Sequence, residues 1–343
     1  MSSSRPLVIG HRGAPGYRPE HTRSSYETAI WQGADAVEPD VVSSRDGVLV
    51  VRHENEISGT TDVADRPEFA DRRTTKAFLG HEIEGWFTED FTWAELQTLR
   101  CRERIPAIRR ANTAYDDSER MLSLREVLGI ARRGRAGVVI EIKHAAYFAS
   151  IGIDLAALVA EEVRDAGWQS DDLARQLVIE SFEQTALTRV RERGVRATFV
   201  YLIEQVGSAV DLLLASADDA PTYRAQLHDL GALAGEVDGI SVHKSLLLAP
   251  NAQGRATGPA PFARTARDLG LLLFTWTCRP ENGFLAPQFR KGRRKAVRGD
   301  WRGEWQILRQ AGVDGVFADH PDLAVEFFGQ SSQRSDTAAP GPG

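Results

Sequence analysis

Short, uninterrupted apolar runs recur along the chain, and most are followed by a stretch with apolar residues at helical spacing. The runs are Leu7–Gly10 leading into His11, Ala36–Val42, Val48–Val51, Gly137–Ile142, Leu177–Ile179, Ala197–Leu202, Asp238–Val242, Leu271–Thr277 and Gly315–Phe317. Runs that are apolar throughout, rather than alternating, predict parallel strands covered on both faces. Asp154–Ala166 and Asp300–Gln310 carry the helical period and stop at Gly167 and Gly312. Ser24-Ser25-Tyr26-Glu27 reads as a capping box with Ser24 at the cap. This alternation predicts an α/β fold, a (β/α)8 TIM barrel of eight parallel strands with Val48–Val51 as a side hairpin. From about Glu54 to Met121 the alternation lapses into polar, Arg-rich sequence studded with aromatics. That segment is expected to be an insertion after the second strand of a single barrel spanning 1–330, with a disordered tail over 331–343. A basic irregular stretch, Arg279 to Arg298, reads as a solvated surface loop.

Composition narrows the function classes. The chain has 343 residues, 42% of them hydrophobic and 26% charged, which suits a globular protein with a large core. Asp plus Glu outnumber Lys plus Arg by 48 to 42, so there is no basic excess to hold a nucleic acid. Two cysteines, Cys101 and Cys278, cannot build a disulfide framework and are expected to pack as small apolar residues. No apolar run approaches the ~18 residues of a membrane span, and no amphipathic membrane anchor is visible. The opening Met-Ser-Ser-Ser-Arg-Pro runs straight into Leu7-Val8-Ile9 without space for a signal peptide, so a cytoplasmic location is expected. Nothing in the sequence sets an oligomeric state.

In a parallel barrel the chemistry gathers where the strands end, so polar residues closing apolar strands are the ones to weigh. His11 and Arg12 close the first strand. Glu38 and Asp40, two apart in the second, project to one side, and His53 follows Val48–Val51. Glu141 and Lys143 close the third barrel strand. Two neighbouring buried carboxylates cost several kcal/mol unless a cation neutralises them. With Glu141 on the next strand, the trio Glu38, Asp40 and Glu141 reads as the ligand set of one divalent cation, Ca2+ or Mg2+ rather than zinc. His11 and His53 flank it as an acid–base couple. Arg12, as a bidentate clamp, and Lys143 would meet an anionic substrate. A metal, two histidines and two cations suit phosphoryl chemistry better than the two-carboxylate chemistry of a glycosidase.

His11-Arg12-Gly13-Ala14, Pro19-Glu20-His21-Thr22, Gly33 through Asp40 and Asp46-Gly47 through His53 together resemble the glycerophosphodiester phosphodiesterase family. Thr61-Asp62-Val63-Ala64-Asp65-Arg66, Glu141-Ile142-Lys143 and Asp314 through Asp319 extend the likeness to about Phe328. The Thr61–Arg66 stretch is similar to the longer bacterial, periplasmic-type members that cleave deacylated phospholipids. The resemblance implies a barrel with a segment inserted after the second strand. It implies His11 and His53 as acid and base, Glu38, Asp40 and Glu141 around one cation, and Arg12 and Lys143 near the phosphate. The implied reaction converts a small-molecule glycerophosphodiester to sn-glycerol 3-phosphate and an alcohol, by way of a cyclic phosphate.

One position departs from that pattern: Glu54 follows His53 where the family usually has Asp, which bears on the orientation of His53. His21 reads as structural. His243, His320 and Glu180 sit at strand ends as pocket-lining candidates without a catalytic role. Trp276 is expected either to wall the glycerol pocket or to fill the barrel core. Two other functions fit the same residues: a lysophospholipase D or related phospholipid phosphodiesterase, marked by an apolar rim, and a non-catalytic metal-dependent binding protein, which would have no use for a proton donor.

Overall fold

The strands close into a barrel in the computed structural model, which describes residues 5–78 and 81–329. In chain order they are β1 (Leu7–His11), β2 (Ala36–Glu38, resuming after Pro39 as Asp40–Ser43), β3 (Gly137–Ile142), β4 (Leu177–Ser181), β5 (Thr198–Ile203), β6 (Gly239–His243), β7 (Leu272–Cys278) and β8 (Gly315–Ala318). Each pairs in parallel with its neighbour in sequence, and β1 pairs with β8 through Val8↔Val316 and Ile9↔Phe317, which shuts the ring. Leu49–Val51 lies antiparallel on Asp40–Ser43, so it is the side hairpin expected from the sequence. The tail assigned to 331–343 lies outside the described residues.

Why the runs are apolar throughout is visible in the packing. Outward side chains meet the helices, and inward ones fill the ring. Ile9, Ala36, Val139, Val200, Phe274 and Phe317 form an inner apolar cluster separate from the strand–helix core. One inward position further along, two residues on, stand His11, Glu38, Glu141, Leu202 and Trp276, all lining one cavity. Thus the same period of two sets an apolar floor below and a mostly polar layer above it.

Helices form where the sequence supplies both an apolar stripe and a cap. Leu155–Asp165 and Trp301–Ala311 follow the expected spans, with Asp154 and Asp300 accepting from Ala157 and Gly303 backbone N–H groups. Such caps contribute ~1 kcal/mol each. Gly312, at φ 70°, ends the second of these helices in the left-handed conformation that costs glycine little. The first helix differs from expectation. It runs Arg23–Trp31 and is capped by Thr22, whose side chain accepts from Ser25 N, while the Ser24 hydroxyl bonds Glu119 instead.

Residues 52–122 connect the hairpin to the helix Leu124–Gly134 through 3-10 turns, an antiparallel pair (Thr74–Phe78 with His81–Gly85) and a short helix, Trp93–Leu96. Phe69, Phe87, Phe91, Leu96 and Leu99 are buried there. Cys101 and Cys278 are both buried thiols. The stretch from Arg279 to Arg298, expected as a solvated loop, is continuously exposed only from Arg290 to Arg298; Glu281, Asn282 and Leu285 are buried, and Arg279 and Phe284 line a cavity, because this half packs over the strand ends. No helix among the described residues is long and apolar enough to cross a membrane.

Candidate active site

A cavity of ≈ 680 Å³ opens at the carboxyl ends of the strands, lined by His11, Arg12, Glu38, His53, Glu141, Lys143 and Trp276. The sequence-predicted residues are therefore brought together, with one displacement: Asp40 lies behind the lining, fully buried.

The turn after β1 explains why His11 and Arg12 sit where they do. Arg12 takes φ 55° and Gly13 φ 91°, so the chain reverses sharply at the strand end. A side chain on Gly13 would run into Ser25, at 2.4 Å from its hydroxyl. The left-handed Arg12 backbone costs roughly 1–2 kcal/mol. Offsetting contacts fix it: its N–H donates to Glu38 Oε2 at 2.6 Å, and its carbonyl accepts from His21 N at 3.0 Å.

Both histidines are held the same way. His11 Nδ1 lies 2.6 Å from Asp319 Oδ1, and Asp319 Oδ2 accepts from Arg109 Nη2 and Arg279 Nε, each at 2.6 Å. His53 Nδ1 bonds Glu54 Oε1, while Glu54 Oε2 accepts from Arg104 Nη2 at 2.6 Å. Arg104 also clasps Glu20, through contacts of 2.6 and 2.7 Å. A carboxylate on Nδ1 places the neutral ring's proton there and leaves Nε2 for the substrate. Burial, then the nearby Arg12, pushes His11 down to about 4. Burial, Arg12 and Lys143 push His53 down to about 3. With no anion in the cavity, both rings are thus shifted toward the neutral form.

The departure at Glu54 has a clear structural outcome, since its carboxylate joins His53 to Arg104. Sequence reasoning missed Asp319 as the partner of His11, because 308 residues separate them. It also missed Arg104 and Arg109, which reach the site from the irregular segment.

The acidic residues group differently from expectation. Oxygens of Glu38, Glu141 and Glu180 lie within 4.8 Å of one another, so Glu180, read from sequence as a pocket-lining residue without a role, belongs to the cluster. Asp40 Oδ2 is held by His21 Nε2 at 2.9 Å and faces Arg12 Nε at 3.2 Å. Its Oδ1, 3.8 Å from Lys143 Nζ, accepts no hydrogen bond, and neither does Glu180 Oε2. His21, buried between Asp40 and the Tyr26 hydroxyl, supports the site rather than only the first helix. Lys143 Nζ donates to Glu141 Oε1 at 2.6 Å. Burial and the neighbouring Asp40 and Glu141 charges push Glu38 well above the usual carboxylate range. Burial takes Glu141 to about 8, even with Lys143 beside it. Buried, like-charged oxygens with unanswered lone pairs fit a hard divalent cation, and among the described residues no cysteine or histidine joins the group.

Arg12 Nη1 donates to Glu20 Oε2 at 3.1 Å, and its Nε, 3.2 Å from Asp40 Oδ2, makes no hydrogen bond. Trp276 belongs to both the barrel core and the cavity wall. Its ring packs against the inner apolar cluster and lines the cavity, edge-on to Phe182 at 5.7 Å and to His243 at 5.0 Å.

Residues 11–323 match the model of the Glycerophosphoryl diester phosphodiesterase family. The chain belongs to this family of hydrolases. It is 31% identical over 333 residues to the glycerophosphodiester phosphodiesterase GDPD6 of Arabidopsis thaliana, covering 93% of this chain and 85% of that protein. The glycerophosphodiester phosphodiesterase of Haemophilus influenzae is 24% identical over 361 residues, covering 95% and 90%. Among solved folds, a phosphodiesterase from Oleispira antarctica in complex with the product sn-glycerol-3-phosphate superposes with a TM-score of 0.60 at 20% identity, covering 95% of this chain and 98% of that one. A glycerophosphodiester phosphodiesterase from Thermotoga maritima gives 0.54 at 19% identity, covering 94% and 98%. This glycerophosphoryl diester phosphodiesterase family member thus shares its barrel with those structures.

Proposed function

We propose that the chain hydrolyses glycerophosphodiesters to sn-glycerol 3-phosphate and an alcohol such as choline, ethanolamine or glycerol. The observation that carries this reading is the opening of His11 and His53 into one cavity, each fixed at Nδ1 by a carboxylate and sharing that cavity with Lys143 and the acidic cluster. The names of the similar proteins support it.

One histidine Nε2 takes the proton of the attacking hydroxyl as the new P–O bond forms. The other ring, protonated on both nitrogens, gives its Nε2 proton to the departing alkoxide. The anionic phosphate favours that imidazolium against burial and Arg12. The first nucleophile is the neighbouring glycerol hydroxyl, whose attack is intramolecular and therefore fast, and it leaves a cyclic phosphate. Water opens that ring with the two histidines exchanging roles, so each ends in its starting state. Lys143 and Arg12 supply positive charge to the phosphate, and Trp276 walls the glycerol end. Glu38, Asp40 and Glu141 would hold one divalent cation, Ca2+ or Mg2+, which supplies charge neutralisation and polarises the phosphoryl oxygens when bound.

Purified protein given glycerophosphocholine and either cation should release glycerol 3-phosphate. Absence of that product under both cations overturns the reading. A second reading has its own observation. Phe182, Leu202, Val210, Tyr223 and Phe284 give the cavity an apolar wall. A lysophospholipid would lay its acyl chain on such a wall, and faster turnover of lysophosphatidylcholine than of glycerophosphocholine would assign it.

A further inference from the structure

Glu180 is a buried carboxylate that the reaction above leaves without a task. It lies on β4 directly across from Glu141 on β3, which in turn is paired with Asp40 on β2. Only 1% of it is exposed, and no hydrogen bond or ion pair to either of its oxygens is found among the described residues. A carboxylate buried in that state is strongly unfavourable unless a cation answers it. The neighbouring cations are already engaged, Lys143 with Glu141 and Asp40, and Arg12 with Glu20 and Asp40.

The oxygens already in use decide how the cluster can chelate. Glu38 has spent Oε2 on the Arg12 N–H, Asp40 has spent Oδ2 on His21, and Glu141 has spent Oε1 on Lys143. Each retains one oxygen for a metal. Glu180 retains both, and its reach into the cluster is shown by the 4.8 Å limit it shares with Glu38 and Glu141. Calcium takes about 6–8 oxygens and accommodates a bidentate carboxylate, whereas magnesium demands a near-octahedral shell and keeps its waters.

We infer that Glu180 is a fourth, bidentate ligand of the cation held by Glu38, Asp40 and Glu141, and that it makes this site select calcium over magnesium. The inference rests on the metal reading of the site but not on the reaction assigned to it. It is tested on the full chain, stripped of metal, by calorimetric titration with calcium alone and magnesium alone, alongside thermal unfolding. Glu180→Gln keeps the shape and removes the charge. It should weaken calcium binding at least ~10-fold, weaken magnesium binding less, and raise the Tm of the metal-free protein while shrinking the rise that calcium produces. A Glu180 that merely braced the barrel would lower the metal-free Tm on substitution, and that result overturns the inference. So does calcium affinity within about 2-fold of wild type in Glu180→Gln when Glu141→Gln has lost it. Wild-type protein that takes up neither ion overturns both the metal site and this inference. Glu180-dependent calcium binding by a protein inactive on glycerophosphodiesters sustains it and overturns the proposed reaction alone.

Discussion

His11 and Asp319, at opposite ends of the chain, meet at 2.6 Å with Asp319 fully buried, and its other oxygen is shared by Arg109 and Arg279. Asp319→Asn keeps the shape but withdraws the charge that holds the His11 tautomer. Turnover should fall at least ~10²-fold with the circular dichroism spectrum unchanged. Asp319→Ala should in addition lose ~3–5 kcal/mol of stability in denaturant unfolding, because two buried guanidinium groups lose their partner.

His11→Ala and His53→Ala should each reduce glycerophosphocholine turnover by ~10²-fold or more while leaving the Tm near wild type. A folded variant with wild-type kcat would remove that histidine from the reaction.

Glu54 ties His53 to Arg104, so its charge and its length can be separated. Glu54→Gln should lower kcat ~10-fold or more with little change in KM, since it acts through His53 and not on the substrate. Glu54→Asp keeps the charge and should recover part of the loss. Equal KM effects in both variants would place Glu54 on the substrate instead.

Removing metal with a chelator should abolish turnover, and calcium or magnesium should restore it. Full activity in chelator would contradict the cation's part in the reaction.

Stability should fall on acidification. Burial pushes His320 from the usual 6.5 down to about 4, so between those values the unfolded chain holds a proton that the folded chain refuses. The stabilising contribution is complete above pH 6.5 and is lost as the pH falls toward 4. Each such histidine adds a slope of about 1.4 kcal/mol per pH unit. His320→Gln should flatten the Tm profile across that window, and an unchanged slope would show that the ring titrates normally.

The barrel was legible because strands buried on both faces must be apolar throughout, a pattern few other elements impose. The candidate site was legible where a polar residue closes such a strand, as at His11, Glu38 and Glu141. Ser24 failed as a cap because the helix begins two residues earlier, with Thr22 at the cap, and so small a shift at a helix start leaves no trace in composition. Asp319, Arg104 and Arg109 were not assigned because what they do depends on which side chain they meet across the fold. Glu180 was undervalued for the same reason: a lone acid at a strand end looks ordinary until the neighbouring strand supplies Glu141.

Arg104 and Arg109 come from the irregular segment between the hairpin and the helix Leu124–Gly134, yet they secure the carboxylates behind both imidazoles. On the proposed reaction, catalytic competence would depend on this segment as well as on the ring of strands. Proteolytic nicking there, or mild denaturant that loosens it, should silence the enzyme well before the strands separate, so inactivation and global melting form two distinct transitions.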